Sequence, residues 1–197
     1  MARLCIMPFA GDLYGGGCGP NSAQTLIVLK AVSLWRRHKR AGNEVTLYCS
    51  CGLPNRNGVT IAETLAWQIQ EADAEAASSI VIGEEESAHT ADNIRYSLPF
   101  LVDENNQPRY DRVIAISVPG FLGLPGHVKR IRILWNNIYP NIPIETDACR
   151  PWGSWFHRLR RGIIETIEIL WIVLFDHQGR FFDRFAEGRR RRAREMT

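Results

Sequence analysis

Long apolar runs are missing from this 197-residue chain. The most hydrophobic stretch, residues 163–175, spans 13 residues and contains Glu165 and Glu168, whereas a helix that crosses a bilayer needs about 20 apolar residues. The pattern therefore predicts a core helix there and no membrane span. The opening, MARLCIMPFAGDLY, has no apolar run long enough for a secretory signal before Pro8, Gly11 and Asp12 interrupt it, so the mature protein is expected to begin near Met1. Cysteine is scarce as well: Cys5, Cys18, Cys49, Cys51 and Cys149 are odd in number and scattered, unlike the disulfide framework of a small secreted protein. A reducing cytoplasm is the expected compartment. Cys49 and Cys51 share a strand face, but no Cys/His set with zinc spacing accompanies them, and no metal is expected.

Several motifs are also lacking. The glycines at 15, 16 and 17 fit neither the G-x-G-x-x-G dinucleotide fingerprint nor the Walker pattern. A G-x-S-x-G nucleophile elbow is absent. Excess charge is slight, 24 basic against 21 acidic residues, and residues 189–197 (RRRRAREMT) hold five of the former and one of the latter. Subtraction leaves 19 basic and 20 acidic groups in residues 1–188, a near-neutral body with a basic tail. Such a run reads either as a solubilising tail or as a contact for nucleic acid or an anionic membrane.

What is present is a hydrophobic share of 45%, which excludes disorder. It is distributed as short apolar runs alternating with amphipathic stretches, the pattern of βαβ units around a parallel sheet. Strands are predicted over 3–9, 45–50, 79–82, 112–118 and 142–146. Helices are predicted from Ser22 as N-cap to Arg40, over 60–77, from the polar segment after Gly83 through Leu101, over 127–139 and over 155–175. In the last of these Phe156, Leu159, Ile163, Ile167, Leu170 and Leu174 form one stripe, expected to pack on the sheet, with Arg158, Arg161, Glu165 and Glu168 off it. Residues 1–180 are expected to form one α/β domain, and 181–197 a basic, flexible tail.

Ligands of parallel sheets bind beyond the carboxyl ends of the strands. That rule selects the loops 11–22, 50–58, 83–90 and 117–127. Gly15, Gly16 and Gly17 would let backbone N–H groups approach an anion, or form a loop without a ligand. Glu84, between a strand and a helix start, is a functional carboxylate or solvated surface, with Ser87 or Thr90 as a cap. His127 and Arg130 lie three apart on the first turn of a helix, suited to general acid/base work and to clamping an anion, or to a capping histidine and a surface arginine.

Together these segments resemble the YdcF/ElyC/SanA-like family of bacterial α/β domains of unknown function. Glu84, Ser87, His89, Thr90 and Asn93 resemble its E-x-x-S-x-N-T-x-x-N stretch, His127 and Arg130 its H-x-x-R, and Ser50, Cys51 and Gly52 its S-G-G turn. The resemblance covers residues 3–175. It implies a Rossmann-like three-layer α/β/α sandwich with a mostly parallel sheet of about five strands. It also implies a site binding S-adenosylmethionine, another nucleotide or a phosphorylated small molecule. Carried over, the catalytic candidates are His127, Glu84 and Arg130. The ligand-binding candidates are Gly15, Gly16, Gly17, Ser22, Ser50, Gly52, Ser87, Thr90 and Asn93. His89 stands where the family has asparagine and Cys51 where it has glycine. The segment 119–126 is longer than the family's turn, as a lid or a change of ligand would require. The alternatives are a non-catalytic ligand sensor, including a cell-envelope role, and nucleic-acid or anionic-surface binding through the tail.

Overall fold

A computed structural model of the chain describes residues 1–9, 23–52, 59–83, 87, 89–151, 153–181, 183, 187 and 191. Five strands form one sheet: β1 (Arg3–Pro8), β2 (Glu44–Cys49), β3 (Ile80–Ile82), β4 (Arg112–Ser117) and β5 (Ile144–Ala148). Their order is β3-β2-β1-β4-β5 and every pairing is parallel. Between them run α1 (Ala23–Arg40), α2 (Ile61–Ala72), α3 (Thr90–Tyr96), α4 (Leu98–Leu101) and α5 (His127–Ile138), and α6 (Trp155–Leu174) closes the series. This is a Rossmann-like α/β arrangement, as the alternating pattern predicts.

Strand alternation explains the layers, because successive side chains point to opposite faces. Leu4 and Ile6 of β1, Val45 and Leu47 of β2 and Ile114 and Ile116 of β4 enter one core with α1 and α2. Cys5, Met7, Tyr48, Val113 and Ala115 enter the other, with Ile94 of α3, Ile131 and Trp135 of α5 and Ile172 of α6. Strand order reverses between β1 and β4, so the crevice of the fold lies at their carboxyl ends.

Four predicted elements differ, three of them in their bounds. The helix expected over 60–77 stops at Ala72, because the Asp73 carboxylate accepts from the Glu75 amide (3.0 Å) and from Arg36 (2.5 Å), starting a 3-10 turn, Ala74–Ser79. The helix expected through Leu101 breaks at Ser97: Pro99 has no N–H and its ring conflicts with the carbonyl four residues back. The last strand starts at Ile144 rather than Ile142, since Pro143 cannot donate to the ladder.

The fourth difference concerns α6. Its residues buried against the body are Gly162, Glu165, Ile169 and Ile172. The stripe expected to pack on the sheet faces away: Phe156, Ile167 and Leu174 are 69%, 61% and 62% exposed. The charged side of the helix turns inward instead, because the carboxylate of Glu165 meets cationic partners there, and this decides its rotation.

Candidate functional site

The site grows from the loops after β3 and β4. Gly126 is the N-cap of α5, in extended conformation with no side-chain cap, and it delivers His127 to the first helical position. An added Cβ on Gly126 would lie 2.2 Å from the Pro119 carbonyl carbon and 2.3 Å from the Gly120 nitrogen, so two ends of the 119–126 loop close against each other only because this residue is glycine. Phe121 and Leu124 exchange backbone bonds of 3.2 and 2.9 Å around a turn with Leu122 at φ 48° and Gly123 at φ 77°. The loop is seated on α6: Arg158 stacks over the Phe121 ring at 3.9 Å, and Leu124 covers Gly162.

His127 is 4% exposed and links three elements. Its Nδ1 lies 2.9 Å from Glu165 Oε1 and 2.7 Å from Arg130 Nη2, and its Nε2 lies 3.1 Å from Thr90 Oγ1. Nδ1 faces a carboxylate, which only accepts, and a guanidinium, which only donates: the tautomer with its proton on Nδ1 serves Glu165, opposes Arg130 Nη2 and leaves Nε2 to accept from the Thr90 hydroxyl. Burial, the largest influence, and the Arg130 charge push the imidazole pKa down to about 4 against the pull of Glu165, so the ring is neutral near pH 7. Burial pushes the Glu165 carboxyl upward, but His127, Arg130 and Arg161 outweigh it and hold it at about 2. Arg130 serves both acids of α6: its Nε is 3.3 Å from Glu165 Oε2, and its Nη1 pairs with Glu168. It also donates to Thr90 Oγ1 at 3.4 Å. The expected anion clamp is thus committed to carboxylates of its own chain.

Thr90 and Asn93, three apart on α3, share a helix side. Asn93 is 7% exposed and its Oδ1 has no hydrogen-bond donor among the described residues. The cap of α3 is His89 rather than Ser87 or Thr90: its Nδ1 accepts from the Asp92 amide at 3.3 Å. Ser87, wholly buried, instead meets the turn after β2, where the Gly52 amide donates to its carbonyl (3.0 Å) and lies 3.4 Å from its Oγ. Cys51 adopts φ 136° in that turn, a conformation suited to glycine.

The structure therefore joins Thr90, His127 and Arg130, and separately joins Gly52 and Ser87 beside buried Ser50. Gly15, Gly16, Gly17, Ser22 and Glu84 lie outside the described residues. Glu165 belongs to none of the motifs that mark the other site residues; its signal in the sequence is an acid inside the most apolar helix of the chain. His89, Asp92 and Asp183 bring one potential ligand atom each within 4.8 Å of the others. Arg95 Nη1, 3.1 Å from Asp92 and 2.9 Å from Asp183, already supplies cationic charge to that group.

Comparison with protein-family models, curated proteins and solved structures found no match.

Proposed function

We propose that this protein binds a nucleotide-like or phosphorylated small molecule, S-adenosylmethionine falling within the class, at the carboxyl ends of its strands. The observation that carries the reading is the buried Asn93 Oδ1, without a donor among the described residues, on the same helix side as Thr90, whose hydroxyl closes the Thr90–His127–Glu165 chain. A buried carbonyl without a donor is costly, and a ligand hydroxyl or amino group relieves it. Such donors are what a ribose or an amino acid offers. The anionic end of the ligand goes to the backbone N–H groups of Gly15, Gly16 and Gly17. Resemblance to the YdcF/ElyC/SanA-like family supports the same ligand class. Buried free cysteines suit a reducing, cytoplasmic setting.

In an enzyme, neutral His127 would take a proton through Nε2, Glu165 would hold its tautomer, and Glu84 would orient a hydroxyl or water. The engagement of Arg130 by two carboxylates favours the second reading, a sensor that binds without turnover.

Thermal denaturation against nucleotides, S-adenosylmethionine and sugar phosphates tests binding. A ligand at a hundred times its Kd adds about 2.7 kcal/mol and raises Tm by roughly 5–10 °C. Asn93→Ala and His127→Gln are expected to abolish that rise. Silence across the panel for the parent protein refutes the reading, and a bound ligand recovered unchanged selects the sensor.

A further inference from the structure

Among the described residues an exposed apolar face runs the length of α6, with Trp171 at its end meeting the rings of Phe175 and Phe181. Phe156, Ile163, Ile167, Leu170 and Leu174 point outward along it, all exposed, and Trp155, Ile164, Trp171 and Val173 widen it to about half the helix circumference. Among the described residues of α6, only Arg160 brings a charge onto that face, and it too is exposed. Isolated surface apolar residues are ordinary, but a contiguous row of this length marks an interaction surface.

The chain around this helix is predominantly basic. Residues 150–197 contain eleven arginines and six acidic residues. Most of the acids are turned toward the chain itself: Glu165 and Glu168 hold Arg130, Asp183 holds Arg95, and Asp176 accepts from the amides of Arg180 (2.8 Å) and Phe181 (2.6 Å). Arg150 before the helix, Arg160 within it and Arg180 after it are exposed, and farther along the sequence the run 189–192 supplies four more cations.

We infer that α6 docks the protein onto an anionic lipid surface, its outward apolar face entering the interface and the arginines holding acidic headgroups. No described helix is long and apolar enough to cross a membrane, so α6 lies on the bilayer rather than through it. Apolar burial or a polybasic run alone gives marginal, reversible attachment, and the two together give stable attachment. Tryptophans at both ends of the face suit the headgroup level. A second copy is the poorer occupant. A two-fold pairing would set this arginine-rich surface against itself, and Glu168, the acid that flanks the face, is already held by Arg130.

The test is co-sedimentation of the full chain with vesicles of phosphatidylcholine alone and of phosphatidylcholine with phosphatidylserine, alongside tryptophan emission and sedimentation velocity. Expected are binding that depends on phosphatidylserine, weakens with salt and shifts the emission to the blue. The triple variant Ile163→Ser, Ile167→Ser, Leu170→Ser replaces exposed side chains and should retain the parent circular dichroism. It is expected to lose about tenfold in partitioning for each side chain removed. Replacing Arg189, Arg190, Arg191 and Arg192 by serine is expected to weaken binding on the order of a hundredfold or more. The inference is overturned if acidic vesicles leave the protein in solution, or if the triple variant binds them as the parent does, which would assign binding to the arginines alone. Self-association that the triple variant abolishes, with vesicles ignored, would overturn it in favour of a second copy.

Discussion

Neutral His127 against ionised Glu165 makes acid the weak side of this protein. The imidazole, at about 4 when folded, lies below its ordinary 6.5, so the unfolded chain takes up the proton first as pH falls. Its contribution to stability is complete above 6.5 and is lost as pH drops through 4. The Glu165 carboxyl, at about 2 against an ordinary 4.5, contributes fully above 4.5 and loses that contribution as pH falls through 2. Denaturation midpoints are therefore expected to fall steadily from pH 6.5 to 4, with a flatter profile in His127→Gln; an unchanged parent midpoint over that interval would contradict the burial of a neutral ring. Cys51 offers a second test. At φ 136° a side chain is strained, by about 1–3 kcal/mol, whereas glycine is not. Cys51→Gly and Cys51→Ala both remove the thiol, so their difference isolates the backbone, and the glycine variant is expected to be the more stable by about 1 kcal/mol or more in chemical denaturation.

The 119–126 loop and the start of α5 form one unit with the site. Gly126→Ala would drive a methyl into the Pro119 and Gly120 backbone, which cannot yield as a flexible side chain can. It is expected to cost at least about 2 kcal/mol and to displace His127, which follows it directly. Gly123→Ala meets open space and only a positive φ, so it should cost about 1 kcal/mol and leave ligand binding intact. Calorimetry on both, with ligand-induced shifts, separates positioning from general stability. The loop leads into α5 and rests on α6, with Phe121 under Arg158 and Leu124 against Gly162. α6 itself shows the limit of periodicity: spacing identified an amphipathic pattern but chose the outward stripe as the buried one. Gly162 agrees with the rotation that Glu165 selects, since an added Cβ there would lie 2.9 Å from the Leu124 Cβ.

Across both cores, cooperative burial governs thiol chemistry. Cys5 and Cys49 are completely buried. Burial, with Cys49 adding to it, raises the Cys5 thiol far above its ordinary range; burial pushes Cys49 up to about 12 and Cys149 up to about 11. A thiol held protonated is a poor nucleophile, so Cys5 and Cys49 should resist a disulfide reagent in the native protein and react only on global unfolding. Their labelling rate in denaturant should track the loss of circular dichroism; labelling that runs ahead of it would show that the sheet opens in parts.

The apolar alternation of the strands, the proline and glycine breaks and the separation of a near-neutral body from an arginine-rich end were all legible along the chain, because each depends on neighbours a few residues apart. The loops that carry Ser87, Thr90 and His127 were legible for the same reason, through the rule that parallel strands present ligands at their carboxyl ends. The meeting of Thr90, His127 and Glu165 was not, since 37 and 38 residues separate consecutive members. It follows from the parallel crossovers that place β4 beside β1 and set α3, α5 and α6 on one face of the sheet. Spacing within α6 left its rotation undetermined; burying Glu165 between His127, Arg130 and Arg161 selected it and turned an apolar stripe to the outside.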